Sequence, residues 1–396
     1  MAKIVFAWEL GSGYGHIAKF LQVAHELGKR GHQIFCIAKE LQHLAPRTQS
    51  SNITLLQAPV WQQEKVGVTS YCYAELLLNI GYYDNLQIQG KLMAWQSLYD
   101  LIKPDLLIAE HAPTALLAAR GLAFPVTTLG TGFFTPPASS PAPAFYSDAN
   151  LGDDHLIQFE QKILLQINHA LGNLKLPLLK NLTDIFKCND IFLCTHKELD
   201  HYPNRKHAEY LGAHYELPCN DKAEWPDHMG PKIFAYLKPG FSEIEKVLQA
   251  LKLTEASIIV HAPAFSENLL KKYSAPHIQF HNKTIDLELI GSQLALAICH
   301  AGHGTITNML LKGVPLLLLP MQMEQLVLAS RIKDLGAAEI ISPMDPIRNY
   351  RKTIKRLLTN QDYKKQAVDF SQLYADIKPE QQRNIIADRC EALLST

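Results

Sequence analysis

The sequence predicts an α/β protein built from two parallel-sheet domains, and three observations carry that expectation. The chain has 396 residues, more than one compact core of common size holds. Short apolar runs alternate with stretches of helical period in both halves, as in strands covered on both faces. In each half a strand runs through a glycine-rich turn into a helix. The turns are Gly11-Ser12-Gly13-Tyr14-Gly15-His16 and Cys299-His300-Ala301-Gly302-His303-Gly304-Thr305.

Taken in order, residues 4–8 read as the first strand and 17–30 as a helix. Phe20, Leu21, Ala24 and Leu27 share one face of that helix, with Gly31 as its stop. Residues 33–38 form the second strand, and 103–109 and 125–129 two more, with a helix over 114–120 between them. The Pro/Ala/Ser-rich stretch 136–143 reads as an exposed loop. After Leu211-Gly212 the pattern lapses into a polar, proline-punctuated segment. The expected division is therefore a first domain over 1–215, a linker over 216–230 and a second domain over 231–375. A C-terminal helix over 376–396 is expected to pack back on the first domain. Within the second domain, strands are expected at 233–237, 257–261, 278–280, 294–299 and 316–319. Helices are expected over 241–251 and 306–312, and a helical pattern fills 361–394.

Composition sets limits on function. Apolar residues make up 47% and charged ones 19%, which suits a folded globule. Lys+Arg and Asp+Glu are equal at 38 each, so no charge excess favours a nucleic-acid partner. The 7 cysteines form no C-x-x-C pair, and the N-terminus enters a strand without the design of a secretory signal. No apolar run reaches the ~20 residues that span a bilayer. These features lead to the expectation of a cytoplasmic protein, monomeric or homodimeric, without transmembrane segments.

The stretch 299–305 carries the most chemistry. A strand feeding small residues into a helix start presents unpaired N–H groups and the positive end of the helix dipole, a seat for a diphosphate. His300 at its mouth adds a potential donor. The first glycine turn does not fit a nicotinamide fingerprint, because its third glycine would fall at His16 and no acid ends the strand at Ala38. No Asp-x-Asp pair is present to hold a cation, so no metal is expected, and no cofactor is expected either.

The order of these motifs resembles the GT-B glycosyltransferases, and more narrowly the UDP-glycosyltransferase superfamily with its bacterial macrolide-type relatives. The residues that carry the likeness are Gly11–His16, then His300–Thr305, Gly313-Val314-Pro315, Pro320 and Glu324-Gln325. The resemblance implies two Rossmann-like domains facing across a cleft, the first for the acceptor and the second for the donor. It implies an inverting, metal-independent transfer from a UDP- or dTDP-sugar to a hydroxyl of a small molecule or lipid. His16 would be the general base and Glu110 its orienting partner. His300, Gly302, Gly304 and Thr305 would hold the diphosphate, Glu324 and Gln325 the sugar, and the segment from Asn282 to Ile285 the base. Phe133 and Phe134, with the aromatic region that contains Tyr82 and Tyr83, would line the acceptor pocket, although an ordinary amphipathic helix pair explains those tyrosines as well.

Two departures stand out. Asn308 occupies the position where many UDP-sugar users carry a ribose-binding glutamate, which leaves dTDP open. Lys238 stands at a strand end where relatives place small residues, either reaching a phosphate or facing solvent. A GT-B-fold sugar-nucleotide epimerase or hydrolase, and a non-catalytic nucleotide-sugar-binding relative, remain as alternatives.

Overall fold

The computed structural model describes residues 1–11, 14–48, 52–61, 70–145, 152–213, 223–342 and 348–395, without the side chains of Tyr14, His43 and Pro379. Ser12 and Gly13 of the first glycine turn, and 216–222 of the expected linker, lie outside the described residues. The chain divides into two compact units. The first comprises Met1–Ala213 together with Lys378–Thr396, the second His214–Ile377.

The first unit contains β1 (Lys3–Trp8), α1 (Tyr14–Lys29), β2 (Gln33–Ala38), α2 (Ala45–Thr48), β3 (Ile53–Gln57), α3 (Tyr73–Ile80), α4 (Asn85–Ile102), β4 (Leu106–Glu110), α5 (Pro113–Ala118), β5 (Val126–Gly130), α6 (Asp153–Asn173) and β6 (Asp190–Leu193). The second contains β7 (Lys232–Tyr236), α7 (Ile244–Lys252), β8 (Ser257–His261), α8 (Glu267–Tyr273), β9 (Ile278–His281), α9 (Leu287–Gly291), β10 (Leu296–Cys299), α10 (His303–Leu311), β11 (Leu316–Leu318), α11 (Met323–Asp334), β12 (Ala338–Ile340), α12 (Tyr350–Thr359) and α13 (Gln361–Leu373). Helix α14 (Pro379–Leu394) returns to the first unit.

Both sheets are parallel throughout and share one winding. Their orders are β3-β2-β1-β4-β5-β6 and β9-β8-β7-β10-β11-β12, so each opens at its first strand and reverses there. In such a sheet the crevice outside the strand ends at the reversal is where ligands sit. It lies between β1 and β4 in the first unit and between β7 and β10 in the second. The pairing register sets Trp8 level with Glu110, so the end of β4 stands beside the end of β1.

Two expectations need correction. Helix α1 starts at Tyr14, so His16 belongs to its first turn rather than to the preceding loop. The helical pattern over 361–394 divides after Leu373 into α13 of the second unit and α14 of the first, the C-terminal helix expected there. The 136–143 loop is exposed only around Ala138–Ser140. It is drawn inward because buried Glu160 of α6 accepts the Ala142 N–H at 2.6 Å and the Ser140 hydroxyl at 3.4 Å.

Helix α14 seals the open face of α1. Ile386, Ala387 and Cys390 join Phe20, Leu27 and the β1 and β2 side chains in one core cluster. Charged contacts surround this seam, with Arg30 on Asp388 and Glu391 at 2.6 and 2.7 Å and Arg389 on Asp190 at 2.5 Å. Exposed ion pairs contribute little, so burial holds the helix. Ile386→Ala is expected to weaken the first unit by about 2–4 kcal/mol in urea unfolding, whereas Asp388→Ala stays within about 1 kcal/mol.

Candidate active site

In the first unit, the β1–β4 crevice holds His16 and Glu110. His16 Nδ1 lies 2.9 and 3.0 Å from the two Glu110 carboxylate oxygens. Glu110 is buried at the last residue of β4. A carboxylate accepts only, so Nδ1 carries the proton and donates it, and Nε2 is the unprotonated nitrogen of the neutral ring. Trp8 stacks on the ring at 5.5 Å and 19°. Gly11 passes directly beneath it at φ +83°, and a Cβ there would lie 2.4 Å from His16 Nε2. Only glycine meets both the left-handed backbone and the close approach. Lys39 Nζ donates to the Gly11 carbonyl at 2.9 Å and fixes the turn.

A second ring pair closes around this site. His111 and Phe134 stack with centroids 3.3 Å apart, and they lie 6.2 and 5.7 Å from the His16 ring. Phe134 belongs to the loop after β5, whose carbonyls are gripped from behind. Arg205 donates to Gly132 at 3.0 Å and Thr135 at 2.8 Å, and the Tyr202 hydroxyl to Phe133 at 3.1 Å. Arg205 is itself held by fully buried Asp200 at 2.7 Å. Sequence reading missed this clamp, because an Asp and an Arg five residues apart match no motif.

Behind the site, Glu9 is buried, and that burial raises its carboxyl to about 7. It accepts the Trp61 indole N–H at 2.7 Å, the Thr114 N–H at 2.9 Å and the Thr114 hydroxyl. Tyr82 joins this network through Thr114 at 2.5 Å and stacks with Trp61. Tyr82 is thus a fully buried core residue that offers no surface to an acceptor, contrary to its expected place in the pocket lining. Phe133 is likewise buried, against Phe145 and His201, while its neighbour Phe134 and the more distant Tyr83 keep partial exposure.

In the second unit, Gly302 is the N-cap of α10 and supplies no side-chain cap, so the first amides of His303, Gly304 and Thr305 point out of the helix start. Space above Gly302 is open. Ala301 before it is held left-handed at φ +56°, a strain of about 1–2 kcal/mol for a non-glycine residue. Beside this turn the Lys238 ammonium lies 5.8 Å above the Tyr236 ring.

His300 does not serve this turn as a donor. Its Nδ1 lies 2.9 Å from the Leu319 carbonyl and its Nε2 accepts the Lys238 N–H at 2.9 Å. The ring is 2% exposed, and burial lowers its pKa to about 4. A neutral ring with both nitrogens on backbone atoms is a brace between the ends of β7, β10 and β11. Gln325 is similarly occupied, since its side-chain oxygen takes the Met321 N–H at 2.8 Å. Glu324 stays partly exposed in the first turn of α11. Asn308 donates to Glu288 at 3.4 Å, and Glu288 pairs with Lys312 at 2.7 Å. Asn282 is exposed and Ile285 buried. Among the described residues no three His, Cys, Asp or Glu side chains converge as metal ligands.

The buried His300 gives a pH signature. Its folded pKa lies below the ordinary value, so the unfolded chain binds the extra proton and stability falls as pH drops from about 6.5 to about 4. The loss is on the order of 3 kcal/mol. A His300→Asn variant is expected to be less stable at pH 7, with a flatter stability curve than wild type across that window in urea titrations.

Residues 247–379 match the glycosyltransferase family 28 C-terminal domain. No curated protein matches the chain by sequence. Among solved structures it is similar to the glycotransferase of kitacinnamycin, with a TM-score of 0.75 at 14% identity over 99% of both chains. It is also similar to CalG4, the calicheamicin glycosyltransferase, with a TM-score of 0.71 at 18% identity over 100% of this chain and 98% of that one. SsfS6 from Streptomyces sp. SF2575, solved with thymidine diphosphate, matches with a TM-score of 0.62 at 17% identity over 98% and 100%. The chain therefore has the two-domain GT-B fold of these glycosyltransferases, and residues 247–379 are similar to the glycosyltransferase family 28 C-terminal domain.

Proposed function

We propose that the protein transfers a sugar from a nucleoside-diphosphate sugar to an acceptor hydroxyl, with inversion and without a metal. The observation that carries the reading is the His16–Glu110 pair at the β1–β4 crevice, with the imidazole proton directed to the carboxylate. His16 Nε2 takes the proton of the acceptor hydroxyl as its oxygen attacks the anomeric carbon. The bond from that carbon to the diphosphate oxygen breaks on the opposite face, the anomeric centre inverts, and the nucleoside diphosphate leaves. Glu110 stabilises the imidazolium so formed and keeps the ring oriented.

In the second unit the α10 amides and the helix dipole would carry the charge that builds on the departing diphosphate. His300 contributes by fixing this turn rather than by donating to it. Thymidine diphosphate is favoured over uridine diphosphate. SsfS6 is a structural relative solved with that nucleotide, and Asn308 replaces the carboxylate expected to grip a 2′-hydroxyl. The acceptor is a hydroxyl compound with an apolar body, in keeping with the Trp8 and Phe134 rings around His16.

His16→Ala is expected to lower transfer from a dTDP-sugar by about 10²–10⁴-fold and Glu110→Gln by less, while dTDP still raises the melting temperature of both variants. Transfer by His16→Ala at the wild-type rate would overturn the assignment of the base.

A further inference from the structure

Residues 8–11 form the floor of the His16 site. Trp8 stacks on the imidazole, and its indole N–H donates to the Leu10 carbonyl at 2.6 Å. The Leu10 N–H donates to the His111 carbonyl at 3.0 Å, and Gly11 passes beneath the ring. Glu9 lies inside this run and reaches into the core, where it is 2% exposed. Its carboxylate takes the Thr114 N–H at 2.9 Å and the Thr114 hydroxyl. Glu9 precedes His16 by seven residues, and Thr114 follows Glu110 by four. The contact between them therefore ties together the two segments that deliver the base and its carboxylate.

Every partner of this carboxyl donates. Trp61 gives its indole N–H at 2.7 Å, and Thr114 gives its N–H and the single hydrogen of its hydroxyl. The Tyr82 hydroxyl, 2.5 Å from Thr114 Oγ1, donates to Thr114 in turn. A protonated carboxyl would need an acceptor, and Thr114 Oγ1 becomes one only if the chain from Tyr82 through Thr114 to Glu9 reverses. Keeping a charge here costs stability. The titratable groups that face it are Tyr73 of α3, Tyr82 of the turn after it and Tyr99 of α4, all held un-ionised by burial. Burial raises the Glu9 carboxyl from an ordinary 4.5 to about 7, so stability falls as pH rises between those values. A leucine or methionine would fill the space without that loss.

We infer that Glu9 is a positioning residue for the His16–Glu110 pair and that it acts only as a carboxylate. Ionised, it fixes the chain that follows Glu110 against the chain that leads to His16. As pH falls through about 7 it takes up a proton and releases at least one donor, and the His16–Glu110 hydrogen bond loosens. The inference rests on the His16–Glu110 reading of the site, but its test needs neither donor nor turnover.

Proton NMR over about pH 5–9 reads two signals, the Trp61 indole N–H for the charge on Glu9 and the His16 Nδ1–H for its bond to Glu110. In the wild-type protein the Trp61 signal is expected to show a step near pH 7, and the His16 signal to share it. Thr114→Val removes one donor and is expected to move both steps together to higher pH. Glu9→Gln is expected to abolish the Trp61 step and to displace or broaden the His16 signal throughout the range. If Glu9→Gln does not fold, Thr114→Val carries the test. A Trp61 signal without a step, a folded Glu9→Gln with the wild-type His16 signal, or a Thr114→Val shift confined to Trp61 overturns the inference. Glu110→Gln is the control. A His16 signal unchanged in that variant would overturn the underlying His16–Glu110 reading, and the inference with it.

Discussion

A parallel strand covered on both faces has no side to give to a ligand. Its side chains are spent on the core, and its backbone groups are paired with its neighbours. Only its end is open, where the chain leaves the sheet and the next helix begins with unpaired amides. Everything chemical in this protein follows from that constraint. Glu110 ends β4, His16 and His111 follow the ends of β1 and β4, and Lys238, His300 and Gly302 follow the ends of β7 and β10. Each unit places a histidine at the reversal of its sheet and bonds it across to the neighbouring strand end. The two differ in their partners. His16 gives its Nδ1 to a carboxylate, whereas His300 engages a backbone group with each of its two nitrogens.

Rigidity behind the first site comes from buried polar groups that do no chemistry themselves. Asp200 with Arg205 is a desolvated ion pair, a poor source of net stability unless its remaining hydrogen-bonding capacity is met. Here it is met by the carbonyls of Gly132 and Thr135, the Tyr210 hydroxyl and the Tyr202 N–H. The pair therefore converts a loop into a fixed wall beside His16. Glu9 does the same for Trp61 and Thr114. Such networks hold a site in place before any ligand arrives, as the proposed sugar transfer requires.

Most of the fold was legible in the sequence. Strand 33–38 and strand 257–261 were read to the residue, because runs of apolar side chains between a glycine or polar stop and a turn admit few alternatives. Strands β3 and β6, and the short β12, were not read, since Ile53–Gln57 and Asp190–Leu193 are half-exposed edge strands with mixed patterns. The His16–Glu110 contact was expected from the family resemblance together with the place of Glu110 at a strand end. The engagement of His300 was not, because its partners are the backbone N–H of Lys238 and the carbonyl of Leu319, which carry no signal in side-chain identity. Tyr82 was misplaced for a related reason. An aromatic residue reads the same whether it lines a pocket or fills a core, and only the buried hydroxyl of Thr114 decides between them.

In the proposed site a diphosphate is held by the amides at the start of α10 while His300 remains a backbone brace. NMR titration of the protein with dTDP tests it most directly, through the backbone amides of His303, Gly304 and Thr305 and the ring nitrogens of His300. The expected result is a saturable shift of the three amides with the imidazole signals unchanged. Movement of the His300 nitrogens with the amides unmoved would overturn this assignment and return the histidine to the role of phosphate donor.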